Sequence, residues 1–201
     1  MTYVKLGVIL CFWLLVGAFL HYTLPQHDIA RITDTYQKRV DFGENSLFWA
    51  SQPVGSAANA ANRDVFFLQS VRTNDRVMVY RNEDTGFGWP PYFKLDSADL
   101  HAEAANLTST GADPQWVAIT HYGWRSRLLT TYPNAIGIRP VAGPDVTLIP
   151  WLNIIILLLL VVVAFMAWRI WERFEDRVID PLRDRAAVTW AKLRDRASGR
   201  R

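Results

Sequence analysis

Two long apolar runs bracket a central region where hydrophobic and polar residues alternate. Residues 147–168 form the stronger run: twenty-two positions without a charge, including Ile154-Ile155-Ile156 and Val161-Val162-Val163. A bilayer core needs about 20 consecutive apolar residues, so this run predicts a membrane-spanning helix. The first run, residues 6–20, is also uncharged; His21–Leu24 extends it weakly before Pro25. It fits either an uncleaved anchor or a secretory signal with Lys5 as its basic start and Val16-Gly17-Ala18 as a cleavage site. The anchor is favoured, because the run continues through Phe19 and Leu20 without a spacer of small polar residues.

The pattern between the runs is mostly that of strands. Residues 30–40 place Ile32, Tyr36 and Val40 at even spacing, which predicts a first strand. Residues 44–62, rich in Ser, Asn, Ala and Gly, predict a loop. DVFFLQSVR at 64–72 and RVMVYR at 76–81 predict a hairpin, because Asn74 and Asp75 between them suit a turn. Gly86, Gly88, Pro90 and Pro91 then exclude regular structure, with brief pairing at 92–95. Asp96 predicts a helix cap, and Leu100, Ala104 and Leu107 follow at helical spacing, giving a helix over 97–107. WVAITHYGW at 116–124 and residues 135–141 complete five strands. One helix between the third and fourth of five strands is the order of a small OB-like β-barrel. The fold class expected is therefore membrane-anchored α+β: two transmembrane helices flanking that barrel, plus a C-terminal amphipathic helix.

The tail supplies that last element. Residues 169–178 extend the second span by one face of Ile170, Trp171, Phe174 and Val178. Pro181 should interrupt the helix, with Asp180 biased to extended geometry, and a new helix should run over 182–197. That helix places Trp190 between arginines and suits the inner surface of a bilayer. Trp151, Trp168 and Trp171, with Arg169 and Arg173, read as the membrane-interface belt of the second span. The domain boundaries are 1–24, 25–145, 146–169 and 170–201.

Charge sets the orientation. Of 22 Lys and Arg, ten lie from Arg169 onward, against six of the 19 Asp and Glu, so the tail is +4. The middle carries eleven basic and thirteen acidic residues, hence −2. Basic flanks stay in the cytoplasm, so both termini are expected there and residues 25–145 in the periplasm of a bacterial inner membrane. A net acidic domain lacks attraction for phosphate, so nucleic acid is excluded as a partner. The single cysteine, Cys11, lies in the first run, so the domain is held by its core and not by disulfides.

Candidate chemistry is sparse. Four histidines are present, His21, His27, His101 and His121, without zinc-site, EF-hand or HExxH spacing. A zinc set from His27, His121 and a carboxylate is the one arrangement these residues allow, and polar surface or interface histidines are the plainer reading. His101, beside Glu103, is expected to face water. There is no GxSxG, and GFG at 86–88 lacks the glycines and lysine of a phosphate loop. No catalytic residue, metal or cofactor is expected. The segment YRNEDTGFGWPPYFKLDSAD at 80–99 is the densest in unusual residues. Phe87, Trp89, Tyr92, Phe93 and Arg81 there are either pinned to the barrel or form a platform that binds a partner.

RITDTYQKRVD, RDVFFLQSVR, VMVYRNEDTGFGWPPYFKLDSADLHAEA and WVAITHYGWRSRLLTTYPNAI together resemble a family of short bacterial inner-membrane proteins of unknown function. YRNEDT, FKLDSADL and YGWR are the most specific parts. The resemblance covers residues 5–140 and implies an apolar N-terminus with one extracytoplasmic β domain. It carries no catalytic residue. The function expected is a non-catalytic accessory or scaffold subunit, with the lipid bilayer and a membrane protein or second copy as partners. The alternative is a periplasmic ligand-sensing module that signals through the second span.

Overall fold

The structure is a computed structural model that describes residues 2–41, 62–197 and 199. The loop expected at 44–62 falls, but for Asn62, outside the described residues. The chain divides into two units, residues 1–150 and 151–201.

In the first unit, helix α1 (Thr2–Thr23) leads into strands β1 (Gln26–Asp41), β2 (Asn62–Arg72) and β3 (Val77–Asn82). Helix α2 (Ser97–Asn106) and strands β4 (Trp116–Tyr122) and β5 (Asn134–Pro140) follow. The five strands close into a barrel in the order β1-β2-β3-β5-β4. β1 is long enough to serve two partners: residues 26–31 pair with β4, and residues 30–41 pair with β2. A bulge between Ile32 and Asp34 lies where the strand passes from one neighbour to the other, since an extra residue increases local twist and bend. The closing seam is short and parallel, with one pairing, Arg81 with Asn134.

Ala30, Ile32, Leu68, Tyr80, Val117 and Ile119 fill the interior and are fully buried. α2 packs on them through Leu100 and Ala104. The Asp96 carboxylate accepts from Ala98 N at 3.0 Å and Asp99 N at 3.2 Å, satisfying two amides that the first helical turn leaves open. β4 stops at Tyr122, two residues earlier than its alternation predicts, because Gly123 takes φ +90° and turns the chain. His101 does not face water as expected. It is half-buried and stacks on Phe66 with ring centroids 4.3 Å apart, because α2 lies against β2 with that side inward.

The second unit is helical from Trp151 to Ala197: α3 (Trp151–Phe174), a π-helical turn (Glu175–Ile179) and α4 (Asp180–Ala197). The expected interruption at Pro181 is absent. Asp180 is helical, with φ −62° and ψ −48°, and its N–H donates to Glu175 O, five residues back. Proline lacks an N–H and crowds the carbonyl four residues earlier. A wider turn ahead of it, with Pro181 in the first turn of α4, accommodates both. Trp151, Trp168, Trp171 and Trp190 are all exposed, as are Arg169 and Arg173. Arg169 pairs with Glu172 at 3.6 Å. Two helical stretches, Tyr3–Thr23 and one within Trp151–Lys192, are long and apolar enough to cross a membrane.

Candidate functional site

Consecutive strand residues point to opposite faces, and at one end of the barrel both faces carry polar side chains. Tyr80 and His121 turn inward; Arg81 and Tyr122 turn outward. The two sets form separate clusters, one on each side of the sheet.

The inner cluster centres on Asp28 at the start of β1. Its Oδ2 accepts from Arg72 Nη2 at 2.5 Å, from the Tyr80 hydroxyl at 2.5 Å and from His121 Nε2 at 2.9 Å. One carboxylate oxygen thus ties β1 to β2, β3 and β4. Burial pushes the Asp28 carboxyl up, but the hydrogen bonds from His121 and Tyr80 and the Arg72 charge outweigh it and hold it below the ordinary value. Burial, with Asp28 alongside, pushes the Tyr80 phenol far up, so it stays a donor. His121 commits Nε2 to Asp28, and its buried Nδ1 has no hydrogen-bond partner among the described residues. Three charge-assisted or polar donors on one oxygen hold an anion in place. His27 pairs across the strands with Thr120 and, next to Asp28 in β1, points to the other face. No group of three or more His, Cys, Asp or Glu positioned for a metal occurs among the described residues.

The outer cluster closes the barrel. Arg81 Nη1 meets Glu83 Oε2 at 3.1 Å, with both side chains under 5% exposed. The Tyr22 and Tyr122 hydroxyls also bond the guanidinium. Past the single β3–β5 pairing, the Asn134 side chain continues the seam. Its Oδ1 accepts from Glu83 N at 2.9 Å, and its Nδ2 donates to Glu83 O at 3.1 Å. An amide side chain thereby stands in for a strand neighbour. Lys94 Nζ donates to Asn82 Oδ1 and to Ala135 O, the latter at 2.8 Å. Burial draws the Lys94 amine down to about 7.

This face is roofed by α1 and by the segment after β3. Tyr22 packs edge-on to Tyr122 and Trp124, and Tyr92 stacks on Tyr122 at 5.0 Å. Gly123 N donates to Tyr22 O at 2.9 Å, and the Tyr92 hydroxyl donates to Thr23 O. Trp89 stacks on Phe19 at 5.6 Å. Trp124 Nε1 donates to His21 Nδ1 at 2.8 Å. Only two residues, Leu24 and Pro25, separate α1 from β1.

The five residues singled out at 80–99 therefore divide. Arg81 is buried beneath the roof and cannot anchor a partner. Tyr92 is half-buried and bonded to α1. Phe87, Trp89 and Phe93 remain exposed, at 85%, 66% and 58%. The alternation of RVMVYR and WVAITHY gave no notice of either polar cluster. The available signal was charge inside strands: Asp28, Arg72, Arg81 and Glu83 lie at or within apolar elements, where an unpaired charge is costly.

A family model described as "Protein of unknown function (DUF1523)" matches residues 1–175. An "Uncharacterized protein" of Haemophilus influenzae (strain ATCC 51907 / DSM 11121 / KW20 / Rd) is 35% identical over 147 residues, 73% of this chain and 79% of the relative. No solved structure matches the chain. YRNEDT, FKLDSADL and YGWR, apart in sequence, meet at the outer cluster and its roof.

Proposed function

The chain belongs to the DUF1523 family of proteins of unknown function, and on that premise we propose that it is a membrane-anchored, non-catalytic accessory or scaffold subunit. In this reading α1 and α3 cross a bacterial inner membrane, both termini are cytoplasmic and the barrel is periplasmic. The barrel is OB-like: its closed 1-2-3-5-4 order and the helix between β3 and β4 support that assignment. The ten basic residues from Arg169 onward support the orientation.

The observation that carries the reading is a barrel filled by its own side chains, in a chain that also has two helices with apolar, exposed surfaces. A filled barrel offers surfaces, not an interior. Exposed apolar helix surface in a membrane protein faces lipid or a neighbouring protein. The polar clusters serve the barrel: each named donor is spent on fixing strands or closing the seam.

The test is purification of the full chain from its native membranes in mild detergent, with mass spectrometry of co-purifying proteins. One defined complex in fixed stoichiometry is the expected result; recovery of this chain alone would count against a scaffold. A ligand-sensing module is the second reading. It draws on a groove of about 250 Å³ lined by Tyr36, Lys38, Arg39, Phe67, Thr130 and Tyr132. A small molecule that stabilises the barrel and loses its effect on Tyr132→Ala would favour it.

A further inference from the structure

The segment 83–95 is a closed loop with a charged base and an uncharged tip. Thr85 N and Gly86 N both donate to Lys94 O at 3.0 Å, pinching the neck. Asp84 and Asp96 lie outside that neck and are exposed. Between them the tip, residues 86–93, reads GFGWPPYF, with four aromatics and no charge. Phe87 and Phe93 meet edge to face at 5.9 Å, yet both rings stay mostly uncovered. Phe93 also takes φ +52°, a conformation that bulky residues rarely adopt. Burial within the barrel does not offset that cost, because the ring faces out.

The position of the tip identifies what covers it. Trp89 stacks on Phe19, which lies within the apolar run of α1 and four residues before its end. At 1.5 Å per residue, Phe19 is about 6 Å inside the helix end. Tyr92 is tied to Thr23 itself. Through Trp89 the loop is continuous with the lipid-facing helix surface, at the depth where Trp and Tyr favour the headgroup layer.

We propose that residues 86–93 insert into the headgroup layer of the bilayer beside the end of α1, with Phe87, Trp89 and Phe93 as the inserted side chains. The inference rests on the reading of α1 as a membrane span. The two-residue α1–β1 connection and the inserted loop together seat the barrel on the membrane at a fixed height, so it is not swung on a tether. This assigns the aromatic tip to lipid and not to a protein partner.

The test uses full-length protein in vesicles of phosphatidylethanolamine and phosphatidylglycerol, with an environment-sensitive fluorophore on one thiol. Three proteins are compared: the native chain labelled at Cys11, Cys11→Ala with Phe87→Cys, and Cys11→Ala with Lys38→Cys. Lys38 is exposed near the far end of β1, about 40 Å of strand beyond Gln26 and the end of α1. Quenching is read with aqueous iodide and with nitroxide lipids labelled near the headgroup or deep in the chain. The expected result is strong quenching at 87 by the shallow lipid nitroxide, several-fold above that at 38, with protection from iodide. Cys11 should prefer the deep nitroxide. A Cys11 probe reached by lipid and an 87 probe open to iodide would overturn the inserted loop while leaving the span intact. An 87 probe shielded from both quenchers would also overturn it, in favour of a second copy. A Cys11 probe unreached by any lipid nitroxide would remove the span and the loop proposal with it.

Discussion

Replacing Asn134 with alanine should open the barrel at its weakest seam. β3 and β5 share one backbone pairing, and beyond it the Asn134 amide meets both the N–H and the C=O of Glu83. Asn134 is fully buried, and Glu83 is 5% exposed, so water does not take over these bonds in an intact barrel. Each buried polar group that loses its partner costs about 1–3 kcal/mol. Two such groups give about 2–6 kcal/mol, before counting the further bond from Asn134 Nδ2 to the Tyr122 hydroxyl at 3.2 Å. For a domain of this size each kcal/mol lowers the midpoint by about 3–6 °C, so the drop should exceed about 6 °C. The assay is thermal unfolding of full-length protein in detergent, followed by tryptophan fluorescence, since Trp116 opens β4 and Trp124 lies two residues past its end. Asn134→Asp provides the discriminating variant. It keeps an acceptor for Glu83 N–H but loses the donor to Glu83 O and sets a second carboxylate beside Glu83. It should be no more stable than the alanine protein. An alanine variant melting within about 2 °C of the parent would refute the seam argument.

Three further outcomes follow from the polar clusters. Asp28→Asn should destabilise the protein by about 1.5–3 kcal/mol at pH 7, because it removes the charge from a partly buried carboxylate that accepts from Arg72, Tyr80 and His121. The Asp28 carboxyl is depressed in the folded state, so its contribution is present above the unfolded pKa of about 4 and lost as pH falls through the folded value; the gap to the variant, measured by chemical denaturation, should shrink below pH 4. Lys94→Met should show a pH dependence of the same sign in a higher window. A lysine drawn down to about 7 binds fewer protons folded than unfolded between that pH and about 10, so the native protein gains on the variant by up to about 1.4 kcal/mol per pH unit across that window. Below pH 7 the difference should be flat. Tyr80→Phe removes a hydrogen bond to a charged carboxylate and should cost about 1.5–3 kcal/mol, with Asp28 titrating higher by NMR.

Local pattern carried the elements well wherever one physical signal dominated. The two apolar runs, the β2–β3 hairpin and the Asp96 cap are each decided by neighbours within a few residues. Misreadings arose where a distant contact intervened. Pro181 was expected to break a helix, but a π-helical turn ahead of it absorbs the missing donor. His101 looked like surface until β2 supplied Phe66 beneath it. Arg81 looked like an interface anchor because it stands among aromatics, yet those aromatics cover it. Phe87, Trp89 and Phe93 stayed exposed, so the same peptide supplies both a buried clasp and an open tip.

The sequence by itself determined the order of strands and helices, the two apolar helices and the excess of basic charge after Arg169. These follow from periodicity and composition, which act over one or two turns of chain. Only the tertiary structure decided that YRNEDT, FKLDSADL and YGWR converge, that Asn134 completes a seam 51 residues from Glu83 in sequence, and that Asp28 gathers three strands. Those facts depend on barrel register, and register is set by closure of the whole sheet. A buried charge among apolar residues announces that it needs a partner, but only the closed barrel names which one.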